Sequence, residues 1–323
     1  MWVLIGFFLA ADWALVIVIN KRLLSFVHPL PLNFLLRLVA IVGLVCATVP
    51  LTVFGWWDLG FGLTPTAAGY IAVSAIVTWV VAFNAYYYAL RAGRASIVAP
   101  VTATDPIWAA LFAPLLLGAA LDPLVIVGLL VATVGVVLIA RWMSEEPGQL
   151  LETTSIPVAA APAVARAGPG DGGAGGLGVV ALALIAAAGW GLGPVVIELA
   201  ENANGGASAG MMLGSQALGA VLLGAILLVR RGPILVRPLA AERRRFILLL
   251  LASGVLEVVF GIFYYLMIEA IGAVLTLLIT ATSPVFAILG GAILLKEPVG
   301  KRLWAAVALT IGGVVIATLA RVV

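Results

Sequence analysis

The chain has 323 residues, 64% of them apolar and 10% charged, with 17 lysines and arginines against 14 acids. A soluble domain is about a quarter charged, so this composition, with a mean hydropathy of +1.25, excludes one and indicates a polytopic membrane protein. A single cysteine, Cys46, excludes an intrachain disulfide, and the lone His28 precedes Pro29 in a short connection, where a surface role is expected.

A spanning helix takes about 20 mostly apolar residues. The first such segment covers 2–20. It has no basic leader and carries Asp12 in mid-run, which predicts a retained helix and not a cleaved signal. Further segments lie at 32–54, 68–90, 95–118 and 123–141. Residues 143–176 then break the pattern. They are rich in Pro, Gly and Ala, hold no lasting apolar period and read as a flexible linker. Five more segments follow at 177–199, 208–229, 246–268, 273–295 and 303–321. The expected fold is therefore all-α and membrane-integral: ten transmembrane helices, five in 1–142 and five in 177–323, joined by the linker 143–176.

Charge placement gives an orientation. Of the 17 basic residues, 15 fall in the odd-numbered connections and none in the even ones. Lys21 and Arg22 sit in the first, Arg91 and Arg94 in the third, Arg141 and Arg166 at the fifth. The seventh holds Arg230, Arg231, Arg237, Arg243, Arg244 and Arg245, and the ninth Lys296, Lys301 and Arg302. Arg37 and Arg321 are left, and both are assigned to helix ends. By the positive-inside rule the odd connections and the linker are cytoplasmic, and both termini face outward. The triple Arg243–Arg245 then suits anionic lipid headgroups better than a substrate.

The halves echo each other. "TATDPIWAAL" (102–111) matches "TATSPVFAIL" (280–289), "GVVLIA" (135–140) matches "GGVVIA" (312–317), "YYYALRAG" (86–93) weakly matches "YLMIEAIG" (265–272), and "ADWAL" (11–15) matches "AGWGL" (188–192). The offsets are 178, 177, 179 and 177 residues. With five helices per copy, the second copy enters the membrane upside down, the inverted repeat of secondary transporters.

Five plus five helices, "GWGLGPVV" (189–196) in the sixth, a proline inside the fourth and ninth, and "LLKEP" (294–298) before the last resemble the EamA branch of the drug/metabolite transporter superfamily. The first half has "ALDP" (120–123) where the second has the lysine-bearing motif. The resemblance covers nearly the whole chain outside the linker. It implies a transporter of small metabolites, often an exporter, with helices 1, 3, 4, 6, 8 and 9 around a central cavity.

Three acids fall at mid-depth: Asp12 in the first helix, Asp105 in the fourth and Glu257 in the eighth. A charge at the bilayer centre costs about 2.5–3.5 kcal/mol on insertion scales, so a shared wet cavity is expected, with all three as substrate-binding or proton-coupling candidates. The alternative for each is a protonated acid hydrogen-bonded between helices. Pro106 and Pro284 break their helices and free the carbonyls of Thr102 and Thr280, with Thr104, Thr282 and Ser283 at hand to compensate. Asp105 faces the neutral Ser283 across the repeat.

Trp13, Trp79, Trp108 and Trp190 lie at the same depth, too deep for interfacial anchoring, which suits Trp2, Trp56, Trp57, Trp142 and Trp304. Asn84 and Tyr87 share one helix face, and Glu257, Gly261 and Tyr264 another. Helix packing is the competing role for each ring. Together with Thr282 these residues complete the predicted site. Aromatic rings with carboxylates suit an organic cation or the amine of an amino acid. Glu198, Glu201 and Glu269 are expected to be solvated at outer helix ends.

No P-loop, HExxH, GxSxG or Cys/His cluster is present, so neither a cofactor nor a metal is predicted. Nucleic acid is not an expected partner; lipids, a small molecule and protons are. The expected function is secondary transport, outward, of a small amine-bearing metabolite such as an amino acid, by alternating access at the inner membrane. Organic-cation or drug efflux is the alternative within the class. A membrane-embedded enzyme or a receptor subunit is the alternative outside it, and the inverted repeat argues against both.

Overall fold

The computed structural model describes residues 1–53, 63–93, 95–118, 120, 122–145, 174–206, 209–230, 235, 242–286 and 300–319. Arg94, Arg166, Arg231, Arg237, Lys296, Arg321, Trp56, Trp57, most of the predicted linker and the 294–298 motif lie outside the described residues.

Each segment predicted to span is helical over its described residues apart from 103–104, 118 and 281–282. The helices are α1 (Trp2–Leu23), α2 (Pro29–Val53), α3 (Pro65–Ala75), α4 (Phe83–Ala92), α5 (Ala95–Thr102), α6 (Asp105–Leu117), α7 (Pro123–Glu145), α8 (Ala174–Asn204), α9 (Ala209–Arg230), α10 (Arg243–Ile271), α11 (Ala273–Thr280) and α12 (Lys301–Leu319). Seven helical runs are long and apolar enough to cross a membrane, and three shorter apolar ones cover 105–117, 123–139 and 273–286. Among the described residues the only β contact is an isolated bridge between Val27 and Leu235. The helix starts are chemically marked. Pro29, Pro65 and Pro123 occupy first positions, where a missing N–H costs nothing. The Thr64 hydroxyl accepts from Ala67 N at 3.1 Å, and Asp122 Oδ1 accepts from Leu124 N at 2.7 Å. α7 continues to Glu145 and α8 begins at Ala174, so both ends of the predicted linker are helical.

Two helices depart from regular geometry. α3 and α4 are joined through a π-helical stretch, Ile76–Ala82, where Phe83 N bonds to the Thr78 carbonyl five residues back. Asn33 Nδ2 donates to the Trp79 carbonyl at 2.7 Å and Asn84 Nδ2 to that of Val80 at 2.8 Å. Such stretches concentrate at functional sites. The other departure is the pair of proline breaks, after α5 and after α11.

The halves share one core. α1 packs on α10, α2 on α9, α3 and α4 on α8, α6 on α8, and α7 on α12. Each of these pairs joins a helix from before residue 146 to one from after residue 173. Large apolar side chains such as Leu4, Leu115 and Val221 remain on the outer surface, as lipid contact allows.

The α7–α12 pair is held by backbone proximity. A Cβ on Gly313 would stand 2.6 Å from the Gly128 carbonyl oxygen and 2.7 Å from Ala132 Cα, and one on Gly135 2.6 Å from Thr310 N. Small residues permit such close approach where no hydrophobic effect drives helices together. Gly313→Val should therefore cost about 1–3 kcal/mol of stability. A lowered unfolding temperature in detergent is the expected readout, and an unchanged one would show that these helices part freely.

Candidate substrate cavity

The proline breaks are alike bond for bond. In the first, Ala103 N bonds to Ala99 O, Thr104 N to Val101 O and Ile107 N to Thr104 O, at 2.9, 3.3 and 3.0 Å. In the second, Ala281 N bonds to Leu277 O, Thr282 N to Ile279 O and Val285 N to Thr282 O, at 2.8, 3.2 and 2.9 Å. All five positions correspond at an offset of 178. The side chains follow the same rule. Thr102, Thr104, Thr280 and Thr282 turn their hydroxyls back onto carbonyls three or four residues earlier, at 2.6–3.2 Å. These hydroxyls add to carbonyls of the turn before each break, and none of them reaches the Thr102 or Thr280 carbonyl that the proline frees.

Both breaks open onto one cavity. Thr102, Ala103 and Asp105 line it from the first break, and Thr280, Ala281 and Ser283 from the second. Asp105 starts α6 and is half-buried, and its Oδ1 makes no hydrogen bond among the described residues.

A rim of rings surrounds these groups. Trp13 meets Trp190 edge-on at 5.7 Å between centroids and Phe260 at 5.3 Å, and Phe260 stacks on Tyr264 at 5.1 Å. Phe83 joins Trp79 to Trp190 at 5.0 and 5.1 Å. The glycines of "GWGLG" put Trp190 there. A Cβ on Gly191 would lie 2.7 Å from the Asp105 carbonyl oxygen, and one on Gly189 2.7 Å from the Ala82 Cβ. α8 thus fits between the π-helical stretch and α6, with Trp190 facing the space between them.

The charged centre includes a residue that the sequence did not flag. Arg37 was assigned to a helix end. α2 begins at Pro29, however, which puts Arg37 two turns inside the helix, with 0% of its surface exposed. Its guanidinium forms an ion pair with Glu257 and donates to Gln216 Oε1 at 2.8 Å. It lies over the Trp79 ring at 4.0 Å and beside Phe83 at 5.1 Å, a stacked cation in a desolvated place. Arg37 Nε and Glu257 Oε1 make no hydrogen bond among the described residues.

Of the predicted site residues, Asp105, Trp13, Trp79, Trp190, Glu257 and Tyr264 line the cavity. Five do not. Asp12 is 4% exposed and absent from the wall, because a helix turns about 100° per residue and its neighbour Trp13 takes the cavity-facing direction. Trp108 packs away from it, stacked on Phe112 at 6.4 Å. Tyr87 is buried and its hydroxyl accepts from Asn20 Nδ2 at 3.3 Å. Asn84 serves the Val80 carbonyl, and Thr282 is buried in the second break.

The two helix junctions at either end of the bundle are held by opposite charges. Lys21 Nζ donates to the carbonyls of Leu90 and Gly93 at the end of α4. At the pseudo-equivalent junction, Glu198 Oε2 accepts from Ala273 N at the start of α11, at 2.7 Å. A cation on a C-terminus and an anion on an N-terminus both complement the helix dipole. Beside Lys21's junction, His28 Nδ1 meets Arg91 at 2.5 Å. Burial and then the Arg91 charge lower the imidazole's pKa, favouring the neutral acceptor. Glu201 corrects an expectation. α8 runs on to Asn204, so Glu201 lies within the helix, 3% exposed, with neither carboxyl oxygen hydrogen-bonded among the described residues.

Comparison with known proteins gives three findings. A family model described as "EamA-like transporter family" matches residues 1–141 and 177–319. No curated protein matches the chain. In all, 28 chains of solved structure match. One crystal structure superposes with a TM-score of 0.68 at 18% identity, over 98% of this chain and 95% of that one, a likeness of fold.

Proposed function

The chain belongs to the EamA-like transporter family, and from that premise we propose that it is a secondary exporter of a small amine-bearing metabolite, working by alternating access around the cavity between its halves. Five helices in 1–142 and five in 177–323, inverted in the inner membrane and joined by a cytoplasmic linker over 143–176, are the architecture this mechanism needs. The observation that carries the proposal is the matched pair of breaks on one cavity, with a bare carboxylate on one side only. Equivalent flexible points in both repeats give the site two ways to open. Asp105, opposite neutral Ser283, gives it something to hold.

A second correspondence supports alternating access. At the offset of 178, Arg37 corresponds to Ser215 and Glu257 to Trp79. Arg37 pairs with Glu257, and Trp79 Nε1 donates to Ser215 Oγ at 2.7 Å. Exchanging the halves thus maps one cross-half contact onto the other, as two access states related by repeat exchange require. Proteoliposomes test the function. Loaded with unlabelled phenethylamine, they should take up the labelled amine by counterflow, and an enzyme or assembly subunit would move nothing. Orientation has its own test. A reporter fused after Val323 should signal from the outer side, and cytoplasmic activity there would overturn the charge-based topology.

A further inference from the structure

Three ionisable side chains line the cavity: Arg37, Asp105 and Glu257. They are not equivalent. Arg37 and Glu257 are joined to each other, and Arg37 is fully buried against Trp79 and Phe83. The cation on the wall is therefore both neutralised and covered. Asp105 has no ion pair among the described residues and keeps an oxygen free of hydrogen bonds. Among the described residues, with all three ionised, the wall carries one negative charge in excess and offers no open cation.

We propose that the cavity selects monocationic amines with an apolar body and rejects molecules that add a carboxylate to the amine. This deepens, and rests on, the assignment of the cavity as the substrate site. An ammonium on Asp105 brings the enclosed charge to zero, with rings around it for cation–π contact. A zwitterion brings the same amine and a second anion. That anion must stay desolvated and unpaired, or draw Arg37 away and leave Glu257 bare. Either outcome penalises the zwitterion, so the discrimination comes from repulsion and not from a better fit to the amine. Free amino acids, which the sequence admits, are thereby excluded.

The test uses three probes on the purified full chain: phenethylamine, phenylalanine (the same amine with an α-carboxylate) and 4-(aminomethyl)phenethylamine (a dication). Quenching of the cavity tryptophans reports binding. Phenethylamine should bind at least about tenfold more tightly than phenylalanine. Glu257→Gln frees Arg37, so the preference should collapse or invert towards phenylalanine. Should that variant not fold, Arg37→Gln bares Glu257 instead and should shift the preference towards the dication. The proposal is overturned if phenylalanine binds the parent chain as tightly as phenethylamine and Arg37→Gln loses it, since Arg37 would then hold the carboxylate. If no amine binds and Asp105→Asn changes nothing, the substrate-site assignment fails first and takes this inference with it.

Discussion

Asp105→Asn should fold and purify as the parent chain does, and lose at least about tenfold in amine affinity or transport, the effect of about 1.4 kcal/mol. The substitution keeps size and shape and removes only the charge. Asp105 has no ion pair to break among the described residues, and its Oδ1 accepts nothing. Removing a desolvated charge without a partner can even stabilise the fold. A protonated acid bridging two helices would need a hydrogen-bond partner, and no side-chain bond to Asp105 is present among the described residues. Transport assays separate two roles. If Asp105 only binds the amine, affinity falls while counterflow at saturating amine survives. If it exchanges protons, counterflow persists and accumulation driven by a pH gradient vanishes. Normal affinity, rate and pH dependence in Asp105→Asn would remove the residue from function altogether.

How far the sequence reached depends on the kind of signal. Proline is unambiguous, because it deletes a donor whatever surrounds it. Pro106 and Pro284 therefore located both breaks, but the threonines beside them bond to carbonyls other than the two that the prolines free. Position along an apolar run is read directly from residue number. Rotation is not. Asp12 and Trp13 are neighbours at one height, yet only Trp13 faces the cavity, and small helix rotations decide which. The π-helical stretch left no mark, because Ile76–Ala82 contains neither Gly nor Pro. Arg37 was misread for a related reason. A lone arginine in an apolar run reads as a helix end, and its partner Glu257 lies 220 positions away.

The Arg37–Glu257 pair should prove costly to break and cheap to remove whole. Arg37→Met leaves Glu257 buried with no counter-charge and should destabilise the fold by about 3–5 kcal/mol. Glu257→Leu strands the guanidinium and should cost about as much. The double variant Arg37→Met/Glu257→Leu should recover most of the loss, because two apolar chains fill the space and no ion is left to desolvate. Ser215→Ala removes the pseudo-equivalent neutral contact from Trp79, leaves the indole under Arg37, and should cost only about 1 kcal/mol. The four variants, followed by denaturant unfolding in detergent, give a coupling energy for the ionic contact and a reference for its neutral twin. Contacts that exchange roles between access states but differ this much in strength would make one state harder to open than the other. A double variant as unstable as either single one would place the loss in packing against Trp79 and Phe83, and the charges would then have no part in holding the halves together.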